Sequence, residues 1–203
     1  QFFLDHRVPQ VKFVDRTFNC NHQHAIAIWN YLLEHDNGVT NFHFEISADL
    51  LNEEELRLMK QMRPGLIQLE IGVQSVNPDT IREIKRTMDL KKLKGIVSRV
   101  RGFGNIHQHL DLIAGLPTDT FESFKNTVNE VITLNPESVT VHSLSMKRSS
   151  GMTKLNQIPD ITVGKTASKM VDFAYNTLSQ NGIHPYYMYR QSKTVGNLEN
   201  VGY

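Results

Sequence analysis

The sequence predicts an α/β fold in which helices cover a parallel β-sheet. Short apolar segments rich in β-branched and aromatic residues alternate with longer segments of helical periodicity. The predicted strands begin roughly 25 to 50 residues apart, a spacing typical of β-helix-β units. This pattern fits a barrel or partial barrel as well as a doubly wound sheet, and both architectures stay open at this point.

Six segments are predicted strands because they are short, apolar and rich in β-branched or aromatic residues. They are Val11–Val14, Asn41–Ile46, Leu66–Gly72, Ile106–Ile113, Ser138–Leu144 and Tyr186–Tyr189. Helices are predicted between strands where apolar residues recur at spacings of three, four or seven. The three stripes are Ala25, Ile28, Trp29 and Leu32, then Leu90, Leu93, Val97 and Val100, then Phe121, Phe124, Val128 and Val131.

Two further segments have local signals. Asn77 is predicted to cap a helix whose first turn contains Pro78, where the missing N–H of proline costs nothing. The stretch from Ser145 to Thr162 has little periodicity and is predicted to form a long functional loop.

Composition and charge exclude several classes of protein. A chain with 39% hydrophobic and 21% charged residues is neither disordered nor collagen-like. The net charge of +1 gives no electrostatic footprint for nucleic acid or for an anionic membrane, so neither is expected as a partner. The single Cys20 excludes an internal disulfide and favours a reducing, cytoplasmic location. No apolar run is long enough to predict a transmembrane helix, and a chain that begins at Gln1 is expected to be a piece of a longer protein.

Polar residues lie near the ends of five predicted strands. In parallel α/β sheets the carboxyl ends of the strands meet at one edge, where ligands bind. A carboxylate within an apolar strand needs a cation, a donor or a ligand as its partner. Internal salt bridges remain an alternative explanation for each residue, although five together favour a site. The five are Asp15, Glu45, Glu70, Asp111 and His142.

A metal site is a second interpretation of the polar residues. His107 and His109 alternate along one predicted strand, so both side chains lie on the same face and suit two metal ligands. Together with His22 and His24 they allow a mononuclear metal hydrolase. No third ligand at a recognisable spacing supports that hypothesis.

Several ordered motifs resemble the radical S-adenosylmethionine superfamily. The motifs "FEISADLL", "LEIGVQSVNPDTIREIKR" and "HLDLIAGLPTDTFESF" are similar to its coproporphyrinogen-oxidase branch. The later segments "PESVTVHSLSMKRSSGM" and "PYYMYRQSKTVGNLENVGY" resemble the bacterial oxygen-independent coproporphyrinogen dehydrogenases. The earlier segment "VKFVDRTFNCNHQHAIAIW" is more similar to cobalamin-binding radical enzymes.

The resemblance implies a fold, a domain division and two sets of site residues. The fold is a partial (β/α) barrel of TIM type that lacks its first β/α unit, with residues 1–144 as its core and 145–203 as a loop and C-terminal part. The residues expected to bind S-adenosylmethionine are Asp15, Glu45, Gln74, Arg86 and Asp111. The residues expected to face the substrate are His142, Arg148, Tyr187, Arg190 and Gln191.

The activity implied by the resemblance is radical chemistry. An intact family member cleaves S-adenosylmethionine to a 5′-deoxyadenosyl radical, and the coproporphyrinogen branch decarboxylates propionate side chains of a tetrapyrrole. That chemistry needs a 4Fe-4S cluster held by a CxxxCxxC loop, which is expected upstream of residue 1, and an electron donor such as flavodoxin or ferredoxin. The chain alone is expected to be inactive, and no catalytic residue is assigned. A cobalamin-type radical enzyme and a non-catalytic relative that binds haem or a nucleotide stay open as alternatives.

Overall fold

A computed structural model describes residues 1–145 and 161–203, excluding the side chains of residues 161–163. Its helices are α1 (Phe2–Asp5), α2 (His22–Glu34), α3 (Glu53–Gln61), α4 (Pro78–Glu83), α5 (Leu90–Arg101), α6 (Phe121–Thr133) and α7 (Ile161–Gln180). Its strands are β1 (Gln10–Lys12), β2 (Asn41–Ile46), β3 (Ile67–Gln74), β4 (His107–Ala114), β5 (Ser138–Ser143), β6 (Tyr187–Tyr189) and β7 (Asn200–Gly202). None of the described helices is long and apolar enough to cross a membrane.

The strands are hydrogen-bonded in the order β1-β2-β3-β4-β5-β7-β6. The pairs β1/β2 and β2/β3 are parallel, as predicted. In the first pair Lys12 lies beside His43, and in the second Glu45 lies beside Glu70. Polar side chains from neighbouring strands therefore share one face of the sheet.

The residues group into two compact units, each with its own internal contacts. Unit 1 contains Gln1–Gly72, Met88–Leu110 and Leu134–Glu137. Unit 2 contains Val73–Thr87, Asp111–Thr133 and Ser138–Tyr203. The predicted division of the chain between residues 144 and 145 stays a prediction.

The core of unit 1 follows from the alternation of β2. Phe42, Phe44 and Ile46 are buried, whereas the intervening residues of the strand are half-buried and polar. Trp29 of α2 packs edge-on against Phe44 with ring centroids 5.9 Å apart. Burying a large apolar side chain contributes about 1.5 to 3 kcal/mol, so this aromatic cluster anchors α2 against the sheet.

Three of the predicted helices and one predicted cap are confirmed. The stripes of α2, α5 and α6 bury most of the residues that predicted them. The Asn77 side chain accepts from the backbone N–H of Asp79, and Pro78 opens α4. The predicted loop from Ser145 to Thr162 lies almost entirely outside the described residues.

The last part of the sheet corrects the sequence-based expectation of a wholly parallel arrangement. Strand β7 was not predicted, and it pairs antiparallel with both β5 and β6. Two antiparallel pairings make β6 run in the same direction as β5, but β7 separates them. The segment between β6 and β7 is too short for the crossover that parallel neighbours require, so the chain turns back instead.

Candidate functional site

Two of the predicted cofactor residues lie in unit 1. Asp15 is exposed, three residues beyond the end of β1. Glu45 is the penultimate residue of β2 and lies half-buried on its polar face. Their assignment to the cofactor stays a prediction.

Glu70, also in unit 1, is the centre of an ion-pair cluster. Its Oε2 atom lies 2.7 Å from Lys12 Nζ and 2.7 Å from His43 Nε2. Gln68 Nε2 lies 3.0 Å from the other ring nitrogen of His43. The hydrogen bond from His43, followed by that from Lys12, holds the pKa of Glu70 well below its usual range despite burial. For Glu70 the internal ion pair is therefore the interpretation that the structure supports.

The cofactor candidate with the most distinctive geometry is Gln74, the last residue of β3. Its backbone adopts φ +65°, a left-handed conformation that side-chain-bearing residues rarely occupy. Its side-chain oxygen is buried and has no hydrogen-bond partner within the described residues. A buried acceptor without a donor is unfavourable, and a ligand hydroxyl would satisfy it. The structure thus fits the expected contact with a ribose.

Arg86 also belongs to unit 2, in the segment between α4 and α5. Its backbone N–H donates to the carbonyl of Ile81 at 3.1 Å, and the residue is half-buried. Its pairing with a carboxylate of the cofactor stays a prediction.

A chain of polar contacts in unit 2 links one predicted cofactor residue to one predicted substrate residue. His142 Nε2 lies 3.2 Å from Asp111 Oδ1, and Tyr189 Oη lies 3.3 Å from His142 Nδ1. The carboxylate favours the proton on Nε2, which leaves Nδ1 as the acceptor for the tyrosine hydroxyl. Asp111 is buried, so the contact with His142 offsets part of the cost of placing a carboxylate there.

Tyr187 lies next to this chain of contacts. Its hydroxyl is 3.3 Å from Thr140 Oγ1, and its ring is parallel to that of Tyr189 within 4°. The ring occupies the space over Gly202, where an added Cβ would lie 1.9 Å from a ring carbon of Tyr187. The absence of a side chain at Gly202 is therefore what lets the ring adopt this position.

The remaining substrate candidates occupy the segment after β6 or fall outside the described chain. Arg190 forms an ion pair with Glu199, and Gln191 follows it as a half-buried residue. Arg148 lies outside the described residues.

The metal-site hypothesis finds no support in the described part of the chain. No group of three or more potential ligands there is arranged to hold a metal ion. The pKa of His107 is lowered, first by burial and then by the neighbouring positive charges of His109, His43 and Arg101. That direction favours a neutral imidazole.

A 4Fe-4S cluster does not fit the residues present. Three thiolates are needed to leave one iron open, and the chain has only Cys20, which is the exposed last residue of a short 3-10 turn.

The sequence did not identify Tyr189, Thr140 and Gly202, which contact the predicted residues His142 and Tyr187 in unit 2. Tyr187 and Tyr189 are two residues apart in a predicted strand, so their shared face was available as a signal. Gly202 had no such signal, because its importance depends on a strand pairing that the sequence did not predict.

Comparison with known families agrees with the motifs and the fold. Residues 3–131, more than half of the chain, match the radical SAM superfamily. The chain belongs to this superfamily. Its α/β fold is the partial-barrel type of that superfamily, which confirms the predicted fold class.

Two named proteins of similar sequence match the chain over different lengths. The chain is 34% identical to the oxygen-independent coproporphyrinogen-III oxidase-like protein HemZ of Bacillus subtilis, over 90% of this chain and 43% of that protein. It is 26% identical to the heme chaperone HemW of the same organism, over 77% of this chain and 41% of that protein. The chain thus spans less than half of these relatives.

Solved structures show the same fold. Coproporphyrinogen III oxidase (HemN) from Escherichia coli has a TM-score of 0.56 at 19% identity, covering 98% of this chain and 58% of that one. The radical S-adenosylmethionine methyltransferase TsrM from Kitasatospora setae was solved with cobalamin and a [4Fe-4S] cluster bound. It has a TM-score of 0.61 at 14% identity, and the match covers 71% of this chain and 29% of that chain. Both proteins therefore share the fold of this chain.

Proposed function

We propose that the whole protein is a radical SAM oxidoreductase of the coproporphyrinogen III oxidase-like type, which decarboxylates propionate groups of a tetrapyrrole. The 34% identity to HemZ, which extends over 90% of this chain, supports this branch over the cobalamin-binding one. A small-molecule tetrapyrrole is then the substrate, and a flavodoxin or ferredoxin is the expected electron donor. The single cysteine also favours a cytoplasmic location.

The contact between Asp111 and His142 carries this proposal. It joins a residue expected to hold S-adenosylmethionine to a residue expected to face the substrate, at 3.2 Å. A radical formed on the cofactor has to reach the substrate directly, so the two sets of residues must meet. In unit 2 they do.

Residues of this chain have definite roles in the proposal. The buried Gln74 oxygen would accept a hydrogen bond from a hydroxyl group of the cofactor, and Asp111 would accept one from a second polar group of it. Glu45, Asp15 and Arg86 keep the cofactor-binding roles that the resemblance implies. When bound beside a reduced cluster, S-adenosylmethionine supplies the 5′-deoxyadenosyl radical that abstracts hydrogen.

The cluster itself must be held by residues outside this chain. Because Cys20 is the only thiol, we propose that the 203-residue chain is inactive alone and that a CxxxCxxC motif precedes it in the parent protein.

The decisive experiment uses the reading frame that encodes this chain. Its product is reconstituted anaerobically with iron and sulfide, then supplied with S-adenosylmethionine, a reductant, coproporphyrinogen III and a one-electron acceptor, which takes the electron that the substrate radical loses with carbon dioxide. We expect 5′-deoxyadenosine and carbon dioxide in step with loss of propionate groups. Formation of 5′-deoxyadenosine without decarboxylation would reject the substrate, and an absence of the cysteine motif would reject the radical reaction.

A non-catalytic haem-binding role is the second candidate. The 26% identity to a protein named as a heme chaperone favours it. Under this role the parent protein binds haem and releases it unchanged, without turnover of coproporphyrinogen.

A further inference from the structure

Two exposed, parallel tyrosine rings form a defined surface in unit 2. Tyr187 and Tyr189 are 40% and 36% exposed, their ring centroids are 6.0 Å apart, and their ring planes differ by 4°. They lie on one face of β6, the last strand in the order of the sheet. We refer to these two residues as the tyrosine pair.

The tyrosine pair is held in place by contacts on neighbouring strands. The Tyr187 hydroxyl contacts Thr140 of β5, and the Tyr189 hydroxyl contacts His142 of the same strand. Because β7 lies between β5 and β6, both side chains must reach across it. Gly202 of β7 makes this possible for Tyr187, since any Cβ there would collide with the ring.

Such an arrangement is suited to ligand binding. Exposed rings that are fixed before binding lose little conformational entropy when a ligand stacks on them. Their faces attract other flat π-systems, and parallel rings present the same orientation to one ligand.

Neighbouring polar groups indicate what else the ligand carries. Arg190 follows the tyrosine pair directly, and its guanidinium has five N–H donors, of which Glu199 occupies only part. Its side chain is 62% exposed, so the remaining donors are accessible to a carboxylate.

We propose that the tyrosine pair is the surface on which the pyrrole rings of a tetrapyrrole carboxylate bind, with Arg190 pairing to one of its carboxylates. The proposal rests on the proposed function for the class of ligand and for the substrate-facing roles of Tyr187 and Arg190, and it adds the stacking on the tyrosine pair and the role of Gly202. Gly202 is then a specificity residue that acts through the position of Tyr187.

The test is a binding titration of the 203-residue chain with coproporphyrin III, an air-stable tetrapyrrole with four carboxylates, followed by its absorbance. Tyr187→Leu is expected to weaken binding about tenfold, and Tyr187→Phe, which keeps the ring, less than about threefold. Gly202→Ala should match Tyr187→Leu, and the double variant should show no further loss, because both changes remove the same contact.

Tyr31→Leu is the matched control, since Tyr31 of α2 is 37% exposed but belongs to unit 1. Circular dichroism confirms that each variant is folded. Equal affinities for wild type, Tyr187→Leu and Gly202→Ala would overturn the proposal, and so would an equal loss in Tyr31→Leu.

Haem provides a second arm that separates ring stacking from iron ligation. Similar affinities for haem and coproporphyrin III, both reduced by Tyr187→Leu, support the proposal. Binding of haem alone, abolished by His142→Ala and unchanged by Tyr187→Leu, would assign the site to iron ligation and overturn it. This assay needs neither a cluster nor S-adenosylmethionine, so its failure is distinct from the absence of radical activity.

Discussion

The imidazole of His142 donates from Nε2 toward the buried carboxylate of Asp111, 3.2 Å away, and thereby orients its other nitrogen toward Tyr189. The three residues come from β4, β5 and β6, which lie far apart in the sequence. The contact fixes the imidazole tautomer as well as the position of the ring. Loss of the Asp111 carboxylate should therefore change the positions of both His142 and Tyr189.

Replacing Asp111 by asparagine tests this arrangement. We expect Asp111→Asn to lower the free energy of unfolding by about 1 to 3 kcal/mol, because the hydrogen bond from His142 loses its charged acceptor. Urea denaturation measures this difference. The control is Asp79→Asn, whose exposed pair with Arg82 should contribute less than about 0.5 kcal/mol. Similar losses of unfolding free energy in both variants would show that the buried contact contributes no more to stability than the exposed one.

Glu70 predicts a definite dependence of stability on pH. Its pKa is lowered in the folded chain, so its ion pairs stabilise the protein above the usual glutamate pKa of 4.5 and lose that effect as pH falls below it. The difference in unfolding free energy between wild type and Glu70→Gln should be on the order of 1 kcal/mol or more at pH 6 and should shrink as the pH falls from 4.5 toward 3. Urea titrations at several pH values measure it, with exposed Glu54→Gln as the control. A difference that grows on acidification would contradict the assignment.

The left-handed backbone at Gln74 predicts opposite effects on stability and binding. Gln74→Gly removes the strain of φ +65°, so we expect the free energy of unfolding to rise by about 0.5 to 1 kcal/mol. In the parent protein the same change should weaken binding of S-adenosylmethionine, measured by calorimetry, because the acceptor oxygen is gone. Ser98→Gly in α5, where the backbone is helical, serves as the control and should destabilise. Unchanged cofactor affinity would remove Gln74 from the site.

The contact between Tyr187 and Gly202 predicts a coupling in stability. Gly202→Ala should cost about 1 to 3 kcal/mol in the wild-type background, because the new methyl group displaces the ring. In the Tyr187→Ala background the cost should be smaller by at least about 0.5 kcal/mol, as expected for residues in direct contact. Thermal and urea unfolding of the four variants complete the double-mutant cycle. Additive losses of unfolding free energy would show that the Tyr187 ring moves aside at no cost.

The cysteine content predicts the behaviour of the isolated chain with iron. Anaerobic reconstitution of the 203 residues should leave no stable 4Fe-4S cluster and produce no 5′-deoxyadenosine, since one thiol cannot supply three ligands. Absorbance at the sulfur-to-iron charge-transfer bands detects the cluster, and chromatography detects 5′-deoxyadenosine. Cys20→Ser is the control. A stable cluster in wild type that Cys20→Ser abolishes would contradict the prediction.

The sequence by itself determined the class of the fold and the approximate positions of its first five strands. Alternation in β2 and the stripes of α2 and α5 are local patterns, set by which side chains must leave water. The motifs also determined the superfamily, because they are contiguous segments whose residues are recognisable without their partners.

Only the tertiary structure decided which polar residues meet. Lys12 reaches Glu70, and Asp111 reaches His142, through strand pairings that no local pattern specifies. The insertion of β7 between β5 and β6 likewise depends on hydrogen bonds between segments far apart in the chain. The position of the Tyr187 ring follows from that insertion, because the space over Gly202 exists only once β6 and β7 have paired.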